Sequence, residues 1–93
     1  MNKDVSQILD ILQEEAAEVI QAVSKVRRFG WDNSFEGKPT NRISLAEEIG
    51  DLEALIQLLK DTGEVSTLGV GVFKEAKLEK LRKWSTIESI KTH

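Results

Sequence analysis

The chain has 93 residues, of which 40% are hydrophobic and 31% charged, and its formal net charge is −3. This length suits one domain, which we expect to cover residues 1–93. There is no cysteine, which excludes disulfides, thiolate metal ligands and cysteine nucleophiles. No apolar run approaches the roughly 20 residues of a membrane span, and the N-terminus lacks a signal-peptide pattern. We therefore expect a cytoplasmic protein that binds neither membranes nor duplex nucleic acid.

The first predicted helix runs from Val5 to Arg28, with Asp4 as its N-cap and Gly30 as the residue that ends it. Its main apolar stripe consists of Val5, Ile8, Leu9, Leu12, Ala16, Val19, Ile20 and Val23. A second, narrower strip consists of Ile11, Glu15, Glu18 and Ala22. A helix that is apolar on two sides needs more than one packing partner. We therefore expect a homo-oligomer, either a dimer or a dimer of dimers.

A connection without periodicity follows over Phe29–Ile43 and is rich in Gly, Asn and Pro. Loops of this length in compact domains are usually functional or mobile. This one holds Phe29, Trp31 and Phe35, three of the five aromatic residues of the chain. Two interpretations stay open at this point. The aromatic side chains either fold over the end of the helical bundle or form a lid that stacks on a base.

The second predicted helix covers Leu45–Lys60, and Gly63 ends it. Ser44 and Glu47 have the S-x-x-E spacing of a capping box. The apolar stripe of this helix consists of Leu45, Ile49, Leu52, Leu55, Ile56 and Leu59. Glu48 falls inside the stripe and Asp51 at its edge. Because carboxylates that face a core are costly without a positive partner, these two residues are candidates for a function.

The third predicted helix covers roughly Val72–Trp84, after a connector over Glu64–Gly71. Its stripe consists of Phe73, Ala76, Leu81 and Trp84. Lys77 and Lys80 project from the same arc, where they either extend to solvent or meet a buried carboxylate cluster. We expect both lysines to line the groove that holds the acidic residues. The sequence thus predicts an all-α protein, a bundle of about three helices completed by oligomerisation.

Two acidic pairs are the part of the sequence that indicates chemistry. Glu15 and Glu18 lie one turn apart on the first helix, and Glu48 and Asp51 on the second. If the helices pack antiparallel, four carboxylates converge, and at neutral pH they require bound cations or raised pKa values. Oxygen ligands without His or Cys favour Mg²⁺, Mn²⁺ or Ca²⁺. Together with nearby lysines, such a cation is typical of a site that handles pyrophosphate.

The segments EEAAEVIQAVSKVRRFG and NRISLAEEIGDLEALIQLL resemble the MazG-like nucleoside triphosphate pyrophosphohydrolases, most closely the small phage-type members. The signature of this family is E-E-x-x-E followed by E-x-x-D, here residues 14–18 and 48–51. The resemblance implies a helical bundle completed by dimerisation. It also implies Mg²⁺-dependent hydrolysis of NTP or dNTP to the monophosphate and pyrophosphate, with Mn²⁺ as a possible substitute. The implied metal ligands are Glu15, Glu18, Glu48 and Asp51.

Further roles follow from the same resemblance and from the proposed chemistry. Either Glu14 or Glu18 would take the proton of the attacking water, while Lys77 and Lys80 would stabilise the departing phosphates. The expected substrate contacts are Asn41, Trp31 and Lys77. Two alternatives stay open: an enzyme similar to phosphoribosyl-ATP pyrophosphatase, although the glycine- and lysine-rich lead-in of those enzymes is missing, and a non-catalytic helical protein-interaction module.

Overall fold

The computed structural model describes residues 1–92, which form three α-helices and a short 3-10 helix. The helices are α1 (Lys3–Phe29), α2 (Asn41–Asp61) and α3 (Thr67–Trp84), and the 3-10 helix covers Glu88–Thr92. Between residues 1 and 92 there is no strand, only an isolated antiparallel bridge of Ser34 with Thr40. The predicted all-α class is therefore confirmed. None of the described helices combines the length and apolar character needed to cross a membrane.

The chain divides into two compact units, residues 1–62 and residues 63–93. The first unit contains α1, α2 and the loop that joins them over residues 30–40. The second contains α3 and the 3-10 helix. All the predicted acidic site residues belong to the first unit, and the two predicted site lysines belong to the second.

Helix α1 begins earlier than predicted because Asn2, rather than Asp4, caps it. The Asn2 Oδ1 atom accepts hydrogen bonds from the backbone N–H groups of Asp4 at 2.7 Å and Val5 at 3.3 Å. The predicted cap at Asp4 is therefore wrong, and Asp4 lies in the first turn, where its charge suits the helix dipole. Gly30 ends the helix as predicted, with φ of 89°, a conformation that glycine adopts without steric cost.

Helix α2 also begins earlier than predicted, at Asn41. Its N-cap is Thr40, whose hydroxyl accepts a hydrogen bond from the N–H group of Ile43 at 3.4 Å. The Ser44 N–H group donates to the Thr40 carbonyl at 2.9 Å, so Ser44 is already helical and the predicted capping box is wrong. The S-x-x-E spacing indicates only that a helix can start at Ser44. The β-bridge to Ser34 holds Thr40 in an extended conformation, from which it caps the helix four residues earlier.

Helices α1 and α2 pack as an antiparallel pair along one seam. The Asn41 side-chain amide donates to the Gly30 carbonyl at 2.9 Å, which ties the start of α2 to the end of α1. The buried and half-buried residues of α1 include Val5, Ile8, Leu12, Glu15, Val19, Ala22 and Val26. Those of α2 include Asn41, Leu45, Glu48, Leu52, Leu55 and Leu59. In both sets, successive residues are alternately three and four positions apart. This is the spacing of helices that pack side by side with interdigitating side chains.

The predicted main stripe of α1 is partly wrong, because the seam follows a different line of residues. Ile20 is 70% exposed and Val23 is also exposed, although both belong to the predicted stripe. Glu15 and Ala22, assigned to the narrower strip, lie in the seam instead. Helix periodicity identifies apolar arcs, but the partner helix decides which arc becomes buried.

Helix α3 begins five residues before the predicted start, because Ser66 caps it. The Ser66 hydroxyl accepts a hydrogen bond from the Gly69 N–H group at 2.9 Å. The helix ends at Trp84, and the 3-10 helix packs back on α3 through the buried side chain of Ile90. The predicted stripe of α3 is also wrong in part, since Trp84 is 84% exposed and Phe73 is nearly as exposed.

Candidate metal centre

Three carboxylates from two helices meet in the first unit. Oxygen atoms of Glu15 on α1 and of Glu48 and Asp51 on α2 all lie within 4.8 Å of one another. Glu48 and Asp51 are one helical turn apart on α2, and the antiparallel packing brings Glu15 across the seam toward them. Glu15 and Glu48 are half-buried, while Asp51 is exposed. We call these three residues the carboxylate triad.

Two members of the triad occupy packing positions. Glu15 lies between Leu12 and Val19 in the seam of α1, and Glu48 lies between Leu45 and Leu52 in that of α2. A leucine would fill either position at lower cost, because a carboxylate loses part of its hydration there. The sequence prediction for Glu48 agrees with its half-burial. The packing position of Glu15 becomes visible only with its partner helix in place.

The triad is electrostatically frustrated. Partial burial raises the pKa of Glu15 above the ordinary 4.5, and the charges of Asp51, Glu18 and Glu14 raise it further. Burial likewise raises the pKa of Glu48, with the next contribution from the charge of Glu18 and then from Asp51. No Lys or Arg of the described chain forms an ion pair with these carboxylates. A bound cation would offset both the lost hydration and the repulsion between these carboxylates.

Glu14 and Glu18 lie outside the triad, and both are exposed on α1. The charge of Glu18 nevertheless raises the pKa of Glu48 more than any other charge does, although burial raises it most. Its predicted role as a metal ligand, and the choice between Glu14 and Glu18 as proton acceptor, stay predictions.

The triad fits a hard divalent cation. Mg²⁺ holds oxygen ligands at about 2.1 Å, so ligand atoms on opposite sides of one ion are about 4.2 Å apart. A spread of 4.8 Å between the triad oxygens therefore requires only small side-chain rotations. Mg²⁺ usually keeps several waters and binds substrate phosphates in addition to one or two carboxylates. The exposure of Asp51 leaves one side of the centre open to such ligands.

The predicted substrate contacts in and near the loop are engaged within the protein. The Asn41 amide donates to the Gly30 carbonyl at 2.9 Å. The Arg42 guanidinium lies over the Trp31 ring at 5.0 Å and pairs with Asp32 at 3.2 Å. These contacts anchor the first residues of the loop to the start of α2. Substrate binding by Asn41 and Trp31 stays a prediction.

The predicted site lysines are on α3 in the second unit. Lys77 and Lys80 are both exposed. Neither forms an ion pair among residues 1–92. Their predicted position beside the carboxylates, and their predicted role toward phosphates, stay predictions.

Sequence reasoning missed a cleft of about 610 Å³ beside the loop. Lys25 and Lys38 line it together with Phe29 and Phe35. A sequence signal for Lys25 was present, because it follows Glu18 by seven residues and so lies two turns further along the same face of α1. Lys38 carries no comparable signal, since loop residues have no periodicity.

Comparisons of the chain with protein-family models, with curated proteins and with solved structures found no match. The interpretation of the carboxylate triad and of the cleft therefore rests on their geometry in this structure. That geometry specifies a helical protein with a candidate site for a hard cation and an adjoining polar and aromatic cleft.

Proposed function

We propose that the protein is a Mg²⁺-dependent nucleoside triphosphate pyrophosphohydrolase that releases the nucleoside monophosphate and pyrophosphate. The observation that carries the proposal is the convergence of Glu15, Glu48 and Asp51 within 4.8 Å. Two of these acids occupy packing positions, which a purely structural helix pair would fill with apolar side chains. The E-E-x-x-E and E-x-x-D motifs that contain them supply the reaction class through their resemblance to the MazG-like enzymes.

In this reaction a water oxygen bonds to the α-phosphorus, and the bond from that phosphorus to the α–β bridging oxygen breaks. Mg²⁺, when bound, supplies Lewis-acid activation and neutralises the charge that develops on the phosphates. Glu15, Glu48 and Asp51 would hold the cation, with ligands from both helices. Glu14 or Glu18, both exposed beside the triad, takes the proton of the water.

We also propose that the enzyme is a homo-oligomer and that it is located in the cytoplasm. Two packed helices bury few side chains completely, and Val5 and Ala22 are the buried hydrophobic residues of the first unit. Ile20, Ile43 and Leu58 stay exposed on the outer surfaces of α1 and α2. A second copy that covers these residues would remove apolar area from water, which is the main driving force of subunit association.

The same exposed apolar residues also favour a second candidate, a non-catalytic helical module that binds another protein. The two candidates differ in their response to metal. A cation that binds the folded state stabilises it by RT ln(1 + [L]/Kd), whereas an interaction module has no reason to respond.

The decisive experiment measures pyrophosphate release from a panel of NTPs and dNTPs, with Mg²⁺ and with EDTA. We expect release from at least one substrate, dependent on Mg²⁺, together with a Mg²⁺-induced rise in the melting temperature. Absence of both effects across the panel would contradict the proposal and favour the interaction module.

A further inference from the structure

The cleft beside the loop is a second functional feature of the first unit. Its volume of about 610 Å³ falls in the range of small-molecule sites. It lies between the C-terminal part of α1, the loop and the start of α2. Its lining combines aromatic rings, ammonium groups and neutral polar side chains. The residues that matter here are Lys25, Phe29, Phe35, Lys38, Asn41 and Ser44.

We propose that this cleft binds the nucleoside part of a nucleotide, with the base stacked on Phe35 and the phosphates drawn by Lys25 toward the carboxylate triad. The inference rests on the proposed function. It adds a binding site for the base and sugar of the substrate, which the triad does not contact. It assigns the base to Phe35, one of the three aromatic residues of the predicted lid, rather than to Trp31, the aromatic residue among the predicted substrate contacts.

Phe35 presents an aromatic ring to solvent from a hydrogen-bonded loop. Its side chain is 78% exposed, although a phenyl ring is strongly apolar. The loop around it is fixed by backbone hydrogen bonds from Lys38 to the Phe35 carbonyl at 2.8 Å and from Asn41 to the Asn33 carbonyl at 2.9 Å. The backbone that carries the ring is therefore held in place, and every nucleobase has a flat face that can stack on the ring.

The other aromatic rings near the cleft already have partners. The Arg28 guanidinium lies 4.9 Å from the centre of the Phe29 ring. The Arg42 guanidinium lies 5.0 Å from the centre of the Trp31 ring. Both contacts are within the range of cation–π interactions. Phe35 is thus the most exposed aromatic side chain of the loop and the one best suited to accept a base.

The charges of the cleft favour an anionic ligand. Lys25 and Lys38 both line it, and neither forms an ion pair in the described part of the chain. Glu36 also lines it, so the two ammonium groups outnumber the single carboxylate. A neutral nucleoside would leave both lysines unused, whereas a nucleotide places phosphate near them.

The cleft and the triad both take residues from α1 and α2. Ser44 of the cleft precedes Glu48 by four residues on α2, which is about 6 Å along the helix axis. Lys25 of the cleft follows Glu15 of the triad by ten residues on α1, which is about 15 Å along the helix axis. A single ligand that occupies both features must be extended, with a flat base at one end and phosphates at the other. A nucleoside triphosphate has this shape.

The test measures nucleotide binding without hydrolysis. The full chain is titrated with AMP, CMP, GMP and UMP separately in EDTA, and binding is followed by backbone amide NMR shifts. We expect at least one of them to shift residues 25–44, and Phe35→Ala to weaken it about fivefold or more, the effect of losing one aromatic stacking partner. Ribose 5-phosphate, which lacks a base, should bind wild type and Phe35→Ala equally.

Charge variants test the phosphate contact. Lys25→Gln should weaken the nucleoside monophosphate and ribose 5-phosphate by similar factors. The matched control is Lys3→Gln, the same charge change on the same helix about 33 Å away, which should leave binding unchanged. Glu36→Gln should bind as tightly as wild type or more tightly, because it removes the negative charge of the cleft.

The outcomes separate this inference from the proposed function. The cleft assignment is overturned if none of the four monophosphates shifts residues 25–44, or if Phe35→Ala binds them like wild type, even where NTP hydrolysis is observed. If a monophosphate binds in the cleft with the expected effect of Phe35→Ala while no triphosphate is hydrolysed, the cleft assignment holds and the proposed function fails. Because Phe35 is exposed, its substitution leaves the folded core intact, which circular dichroism checks.

Discussion

Glu48 occupies a packing position between two helices, and other carboxylates lie close to it. Burial and neighbouring negative charges both disfavour its ionised form. Its side chain is half-buried in the seam, yet burial and the charge of Glu18 both raise its pKa. Neutralising it therefore relieves an unfavourable interaction rather than removing a stabilising one. Stability alone cannot reveal its role, but the response to metal can.

We predict that Glu48→Gln leaves the metal-free protein at least as stable as wild type but abolishes both NTP hydrolysis and the Mg²⁺-induced rise in melting temperature. The change is nearly isosteric and removes one anionic ligand of the triad. Thermal unfolding with and without Mg²⁺, together with pyrophosphate release, measures both effects. The matched control is Glu53→Gln, an exposed acid on the same helix outside the triad, which should behave like wild type. Wild-type hydrolysis in Glu48→Gln would remove the basis of the assignment.

We predict that the metal-free protein gains stability relative to Glu48→Gln as the pH falls from 7 toward 5. The pKa values of Glu15 and Glu48 are raised in the folded state, so the folded protein binds protons more tightly than the unfolded chain does. This contribution is complete below the ordinary pKa and is lost as the pH rises through the raised value. Urea unfolding across this pH range measures it.

The control for the pH prediction is again Glu53→Gln, measured over the same pH range, because it makes the same chemical change outside the triad. A difference between wild type and Glu48→Gln that does not change over the same range would show that the carboxyl of Glu48 is not perturbed.

At the level of the elements, the start of α2 depends on a residue outside the predicted helix. Thr40 provides the cap, and the loop that precedes it is tied to the helix by the Arg42–Asp32 ion pair and by the hydrogen bond from Asn41 to Gly30. Residues 41–44 become helical as a result. They bring Asn41 and Ser44 to the edge of the cleft.

We predict that Thr40→Ala lowers the free energy of unfolding by about 1 kcal/mol, the usual cost of losing an N-cap. Ser44→Ala should change it by less than about 0.5 kcal/mol, because Ser44 is an interior residue of the helix and not its cap. Urea denaturation followed by circular dichroism measures both. A larger effect at Ser44 than at Thr40 would place the helix start where the sequence pattern had suggested it.

At the level of the whole molecule, the exposed apolar side chains of α1 and α2 predict self-association. We expect Ile20→Glu to convert an oligomer into monomers, because Ile20 is 70% exposed and lies outside the seam. The matched control is Gln21→Glu, which introduces the same charge one residue away at an exposed polar position. Analytical ultracentrifugation at micromolar concentration measures the mass. A wild-type protein that is a stable folded monomer would contradict the prediction.

The sequence by itself determined the helical class, the glycine that ends α1 and the unusual position of Glu48. These features depend on local chemistry. Each segment has its own hydrophobic period, and glycine alone adopts a positive φ without steric cost. A carboxylate in an apolar stripe can be recognised from the sequence of its own helix. The acidic pairs were visible for the same reason.

Only the tertiary structure decided which groups meet. The packing of α1 on α2 brought oxygens of Glu15, Glu48 and Asp51 within 4.8 Å of one another and left Glu18 outside this group. It turned Ile20 to solvent and drew Glu15 into the seam. The ordered loop moved the helix cap to Thr40 and, together with the end of α1, created the cleft. Each of these outcomes depends on contacts between residues far apart in the chain, which the pattern of any one segment does not contain.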